Sequence, residues 1–382
     1  MHPSSEVNNR LQPTDVQAVL ATVDQFNKRQ IAALDLSAEA QPNEKRVQEV
    51  LAEAEQLGIL PSDTEPGFAL WEEQLDPLAL GMGLEVIGSI AQADVSIAFD
   101  IHQLALGKRL AKHLGQVTHK NIVPCLQATN GLARTALPRF LKGESLSSHE
   151  QELLLEGYPT NSQKTGQHLQ LQATQNWEAV IRPVFSGPEP HLNWILESRD
   201  QLEVTQITAP LGLDHTNLWK ITIKDKEPRH LETKQGRELL IETLGLNALA
   251  IIAMAIGSVR GAKAKAQEYA RDRFQGGTSI DQHQTVNLYL GSIESIITTL
   301  QSALLSFQEL PRNLAQLNDV FALRAQAHPL LCQAASEALQ IFGGYGYMKD
   351  FGVEQILRAN QHLRLCFGTP TELRLFLAAQ MS

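Results

Sequence analysis

A chain of 382 residues with 43% hydrophobic content is long enough for two or three domains or one large fold, and it buries ample core as an ordinary globular protein. Its formal charge of -10, with no run of lysine and arginine, excludes the clustered positive charge that nucleic-acid phosphates require. The longest apolar stretch, Leu246 to Val259, is interrupted by Asn247 and closed by Arg260, short of the roughly 20 residues of a bilayer span, so no membrane partner is expected.

Residues 1–145 read as a helical domain. The opening MHPSSEVNNRLQPTD lacks the charged start and apolar block of a secretory signal, which predicts a cytoplasmic location. Val16, Val19, Leu20 and Val23, and later Leu84, Ile87, Ile90 and Ala91, recur with the period of packed helices. Thr14-Asp15 and Ser37 or Asn43 suit helix starts, while Pro61 and Pro66-Gly67 punctuate the chain. Gly81-Met82-Gly83 begins a dinucleotide fingerprint, but Val86 stands where the third glycine is needed and the surroundings are helical.

Residues 146–234 change to a period of two. Leu169, Leu171 and Ala173 alternate with Gln170 and Gln172, and Trp219, Ile221 and Ile223 alternate with Lys220, Thr222 and Lys224, as half-buried strands do. His191 to Glu197 and Leu202 to Ile207 add short strands, so this segment is expected to be a small antiparallel sheet domain with Trp177 and Trp194 in its core.

Helical periodicity returns over 235–382, with expected helices from Gly236 to Arg273, Gln282 to Gln308, Asn313 to Ile341 and Thr371 to Ala379, forming a four-helix bundle. The fold class is therefore α+β, mostly α. Cys125, Cys332 and Cys366 are odd in number and far apart, which suits buried thiols and offers no metal spacing. His102, His113 and His119 read as surface or satisfied core histidines, and His149-Glu150 has no metal partner at helical spacing.

Two glycine-rich runs carry the chemistry. Arg273 is followed by Gly276-Gly277, Ile280 and Gln284, and Gln340 by Gly343, Gly344 and Gly346. A diphosphate favours a guanidinium that bonds it through two donors and backbone amides left bare by glycine, and Arg273 with Gly343-Gly344 can supply both. The amides of Gln284 and Gln340 can bond ribose or phosphate oxygens. Each motif alone has a plainer reading: the glycines as a helix C-cap and tight loop, Arg273 as a solvated cation at a helix end.

Taken in order, these residues resemble the acyl-CoA dehydrogenase family. There a helix carrying small residues ends in Tyr-Ala, then an arginine, a Gly pair or Phe-Gly, an isoleucine and a glutamine; Gly257, Tyr269-Ala270, Arg273, Gly276-Gly277, Ile280 and Gln284 stand in that spacing. Gln340, Gly343, Gly344 and Gly346, and Gly368-Thr369 before a last helix, also match. Residues 136–144 resemble the family's exit from its first domain, and Pro210-Leu211-Gly212-Leu213 the end of its β domain. The resemblance implies a helical domain, a small β domain and a long-helix bundle, an FAD shared across a dimer or tetramer, and Arg273, Gln284, Gln340, Gly343, Gly344 and Thr369 as cofactor-binding residues.

The same resemblance marks what is missing. The family's catalytic glutamate corresponds to Phe367, and its alternative position to Asn247, neither of which can take a proton from the carbon next to a thioester carbonyl. Glu242 lies five residues from Asn247, on another helical face, and reads as a solvated acid; Glu372 reads as a first-turn helix acid. No Thr-Glu-Pro followed by Gly-Ser-Asp is present, and Glu156 to Thr160 stands in its approximate place without matching. In the family's dimers, each subunit surrounds the flavin ring with its own base and β domain, while the opposite subunit lends the arginine and glycine turn. The chain is thus expected to be a non-catalytic subunit, inactive alone as a dehydrogenase, that completes the FAD site of a related subunit acting on an acyl thioester. The alternatives are a homo-oligomeric flavin enzyme with a relocated base or altered reaction, and a scaffold that keeps only the fold.

Overall fold

The computed structural model describes residues 13–31, 44–61, 68–72, 75–116, 119–128, 131–160, 168–187, 189–207, 212–223, 230–231 and 236–381. Ser37, Asn43, Pro66-Gly67 and Pro210-Leu211 lie outside them. The chain opens with α1 (Pro13–Phe26), α2 (Glu44–Gln56), α3 (Pro77–Ala93) and α4 (Val95–His113). Asp94 joins the last two without a loop. Its amide closes α3 on Ile90, and its carboxylate accepts from Ile97 N–H at 2.9 Å to cap α4. From Val95 to Gly107 every side of α4 is buried, so this helix runs through the core rather than over it.

The strands form two sheets. β1 (Ile122–Pro124), β3 (Ala179–Ser186), β4 (His191–Ser198) and β7 (His230–Leu231) make one, in that order. β2 (Leu169–Ala173), β6 (Asn217–Ile223) and β5 (Leu202–Ile207) make the other, with Leu169 facing Ile221 and Leu171 facing Trp219 as the alternation predicts. The second sheet is antiparallel throughout, but β1 runs parallel to β3, so a stretch expected to be wholly helical contributes a strand. Two further helices follow β1: α5 (Ala133–Lys142) and α6 (Ser148–Gly157), the latter closed by a capping box between Ser147 and Glu150. Residues 136–144 therefore lie between β1 and the remaining strands. Trp177 and Trp194 are core residues.

The C-terminal bundle comprises α7 (Gly236–Asp272), α8 (Gln284–Leu305), α9 (Leu314–Ile341), α10 (Val353–Leu365) and α11 (Pro370–Ala378). The long helices stand within a few residues of their expected bounds, whereas α10 is additional to the four expected helices. Gly352, at φ +64, starts it in a conformation that breaks the preceding periodicity. α7 and α8 are both long and apolar enough to span a membrane, but 94% of the apolar window of α7 is buried inside the protein. It crosses α3 at Gly257, where a Cβ would collide with the carbonyl oxygen of Gly88. The segment 212–217 ties all layers together: Asp214 accepts both Nη groups of Arg358 on α10 at 2.9 and 3.0 Å, and Thr216 donates to Asp100 on α4 at 2.7 Å.

Candidate functional site

The residues around Arg273 are held by a two-residue turn. Phe274–Gln275 (β8) pairs with Thr278–Ser279 (β9), and the residues between, Gly276 and Gly277, have φ of +66° and +87°, as the twist of such a hairpin demands. Arg273 donates its amide to Tyr269 at 3.0 Å and accepts from Ile280 at 2.8 Å, so its side chain leaves the end of α7 in a fixed direction. Opposite, α9 ends at Ile341 and the chain turns through Gly343 at φ +58.

Between these two ends lies a cleft of about 800 Å³ whose walls include Arg273, Gln340, Gly343 and Gly344. Its floor is aromatic. Tyr269 stacks on Phe342 with centroids 4.4 Å apart, and the Arg273 guanidinium sits 5.6 Å over Tyr345. A Cβ at Gly343 or Gly344 would meet nothing within 4 Å, so both glycines leave the wall of the cleft free of side chain. The arrangement fits a group with an extended anionic middle and a planar aromatic end, bonded by a guanidinium and bare amides. Tyr269 stands out in the sequence only as part of the family's spacing, and Tyr345, His283, Thr285 and Tyr289 of the same cleft carry no sequence signal. Gln284, the first residue of α8, is exposed beside the cleft and not in its wall.

The Phe367 position is the opposite of open. Phe367 is buried and stacks on Phe99 of α4 at 6.2 Å, at a φ of +52 that strains any residue with a Cβ. Arg134 of α5 donates to its carbonyl at 2.7 Å, and Arg324 of α9 donates to the carbonyls of Cys366 and Phe367. Beside the ring a smaller space of about 180 Å³ is lined by Cys125, Gln127, Gln170, Gln172, His362 and Cys366. Burial pushes the Cys125 thiol up to about 11 and the Cys366 thiol up to about 12, so neither is a thiolate nucleophile near neutral pH.

The Asn247 position is closed by a chain of buried hydrogen bonds. Trp71 Nε1, which can only donate, bonds His102 Nδ1 at 2.9 Å; His102 Nε2 then carries the proton and donates to Asn247 Oδ1 at 3.0 Å. Trp71 itself sits at φ +62, buried against Gly83, with its carbonyl and that of Glu72 accepting from Arg109. Burial lowers the His102 pKa to about 4, partly offset by its bond to Asn247. His102 is thus a satisfied core histidine, His113 bonds the Arg109 carbonyl, and His119 bonds Ser198.

The other expected acids are also engaged. Glu242, expected to be solvated, accepts from Arg109 at 2.5 Å. Thr369 is not in the cleft: its hydroxyl caps α11 on the Glu372 amide, and its own amide donates to Glu372 Oε2 at 2.6 Å. A carboxylate of this chain thereby occupies the N-terminus of α11.

A model of the C-terminal domain of acyl-CoA dehydrogenases matches residues 234–382. A probable acyl-CoA dehydrogenase of Bacillus subtilis is 28% identical over 183 residues, 46% of this chain and 48% of that protein. A caffeyl-CoA reductase-Etf complex subunit of Acetobacterium woodii is 30% identical over 152 residues, 38% of each chain. The chain spans about half the length, or less, of these curated relatives. In three dimensions the likeness extends along nearly the whole chain: butyryl-CoA dehydrogenase from Megasphaera elsdenii superposes with a TM-score of 0.70 over 98% of this chain and 100% of that one, at 15% identity.

Proposed function

Because residues 234–382 form the family's C-terminal domain and the whole chain has its fold, the chain belongs to the acyl-CoA dehydrogenase family, and we propose that it acts as a non-catalytic subunit completing the FAD site of a related subunit. The observation that carries this reading is the contrast between an open arginine-and-glycine cleft and two base positions filled by packed, hydrogen-bonded side chains. Arg273, Gln340, Gly343 and Gly344, with Gln284 at the margin, would hold the adenosine diphosphate part of FAD. Bound FAD supplies the hydride acceptor. This chain's part is to grip and orient, and it brings no group able to abstract a proton from an acyl thioester.

Two further points support the reading. The carboxylate of Glu372 and the guanidinium of Arg134 fill the turn at Gly368-Thr369, leaving no room for a second phosphate there. One relative is by name a subunit of a complex, so a family member can work inside a multi-chain assembly. The test is co-expression with a related chain bearing glutamate at the position of Phe367, followed by co-purification and a flavin-to-polypeptide ratio. Arg273 is exposed, so Arg273→Ala should leave the melting temperature unchanged while weakening flavin retention in the complex about 30-fold, the worth of roughly 2 kcal/mol of charge-assisted bonding. Turnover of an acyl-CoA by the isolated chain with bound FAD would refute the proposal.

A further inference from the structure

The side chains that close the turn at Phe367 carry more positive charge than the described residues around them neutralise. Arg134 on α5 and Arg324 on α9 are each 1% exposed, among the most buried large side chains of the molecule. They are neighbours, because both donate to one acceptor: Arg134 Nη2 lies 2.7 Å and Arg324 Nη1 3.5 Å from the Phe367 carbonyl. Arg324 spends its other Nη on the Cys366 carbonyl. That leaves Arg134 Nη1 and Arg324 Nε buried without a partner among the described residues. The hydroxyl of Tyr158, also buried, has no partner among the described residues either and lies within the electrostatic reach of Arg134.

Guanidinium groups do not shed their protons near neutral pH. Burial and the charge of Arg134 bring Arg324 down only to about 10, so both remain cations. The acid whose charge Arg324 feels, Glu372, is half-buried and gives its Oε2 to the Thr369 amide. Carbonyl oxygens satisfy donors but do not cancel charge, and a buried cation without a counter-charge costs several kcal/mol.

We propose that Arg134 Nη1 and Arg324 Nε bind a single small inorganic monoanion of the size of chloride. The charge balance sets the valence: two buried guanidiniums against one partly committed carboxylate leave an excess of one. The close approach of two almost fully buried guanidiniums to one carbonyl oxygen restricts the anion to a small one. The anion draws α5, α9 and the turn before α11 together, and so clamps the closed half of the molecule. It does not depend on the functional reading above.

The test uses the full chain at constant ionic strength. Chloride or bromide should raise the melting temperature over gluconate, saturably and by about 2 °C or more. Arg134→Met, which keeps the apolar stem and removes one charge, should abolish that difference. Crystals grown in bromide should show an anomalous peak touching Arg134 Nη1 and Arg324 Nε, a readout that stands even if the variant does not fold. A melting temperature indifferent to the anion, with no peak at Arg134, overturns the proposal. A bromide peak without any stabilisation shows an adventitious ion only and overturns it as well.

Discussion

The cleft at Arg273 and the interior around Phe367 and Asn247 are built from the same bundle, yet they were left in opposite states. In the first, glycine and an exposed guanidinium keep a wall bare; in the second, every position where a carboxylate is expected has become a packing problem already solved. Phe367 stacks on Phe99, and Asn247 ends a hydrogen-bonded chain through His102 to Trp71. An interior without a carboxylate at these positions does not stay hollow, because voids and unpaired polar atoms both cost stability. A carboxylate is therefore not accommodated there by changing one residue.

The most severe way to challenge that contrast is Phe367→Glu. It removes a buried ring and places a carboxylate where the ring met Phe99. We expect a loss of about 4 kcal/mol in urea unfolding, from packing and desolvation together, and no acyl-CoA turnover in the isolated chain. A stable variant that turns over substrate would show that the interior is still an active site lacking only its base.

How far this contrast can be read from sequence depends on the kind of interaction. The long helices are legible because apolar period and buried face coincide over many turns, as in α7, and the alternation in β2 and β6 fixes their pairing. The cleft is legible because glycine and arginine carry their chemistry in local order. The sealed interior is only half legible. Phe367 and Asn247 announce what is absent, but the residues that replace it come from afar: His102 lies 145 residues from Asn247, and Arg134 lies 233 residues from Phe367. No local period signals such contacts. α6 and α10 escape for a different reason, since short helices opened by Ser147 or by a left-handed Gly352 look like loop punctuation.

A gentler probe of the interior is pH. Burial holds His102 down to about 4, against an unfolded value near 6.5, and protonating Nδ1 would set it against the Trp71 N–H. A depressed folded pKa means the unfolded chain takes up the proton first. The contribution of His102 is thus fully present above about 6.5 and is lost as pH falls toward 4, by up to about 3 kcal/mol. Burial raises the pKa of Asp94 and Asp100, which acts in the opposite sense, so the signal must be isolated by difference. His102→Gln can still accept from Trp71 and donate to Asn247 without titrating, and its stability should fall less between pH 6.5 and 4.5. Equal slopes for the two proteins would mean that the buried chain is not as drawn.

The mildest change bears on the cleft and separates its two explanations. If Gly343 and Gly344 serve only to end α9, what matters is backbone conformation; if they leave room for a ligand's diphosphate, what matters is the missing Cβ. The two residues differ usefully. Gly343 has φ +58, so Gly343→Ala should cost about 1 kcal/mol of stability through conformation alone, the Cβ meeting nothing within 4 Å. Gly344 shows no positive φ and equally open space, so Gly344→Ala should stay within about 0.5 kcal/mol of the parent. A diphosphate lying along this wall would meet the new methyl in both variants, and flavin retention in the co-expressed complex should drop severalfold in each. Should Gly344→Ala retain flavin as well as the parent while Gly343→Ala only melts earlier, the glycines are a helix terminator, and the case for the cleft would rest on Arg273 alone.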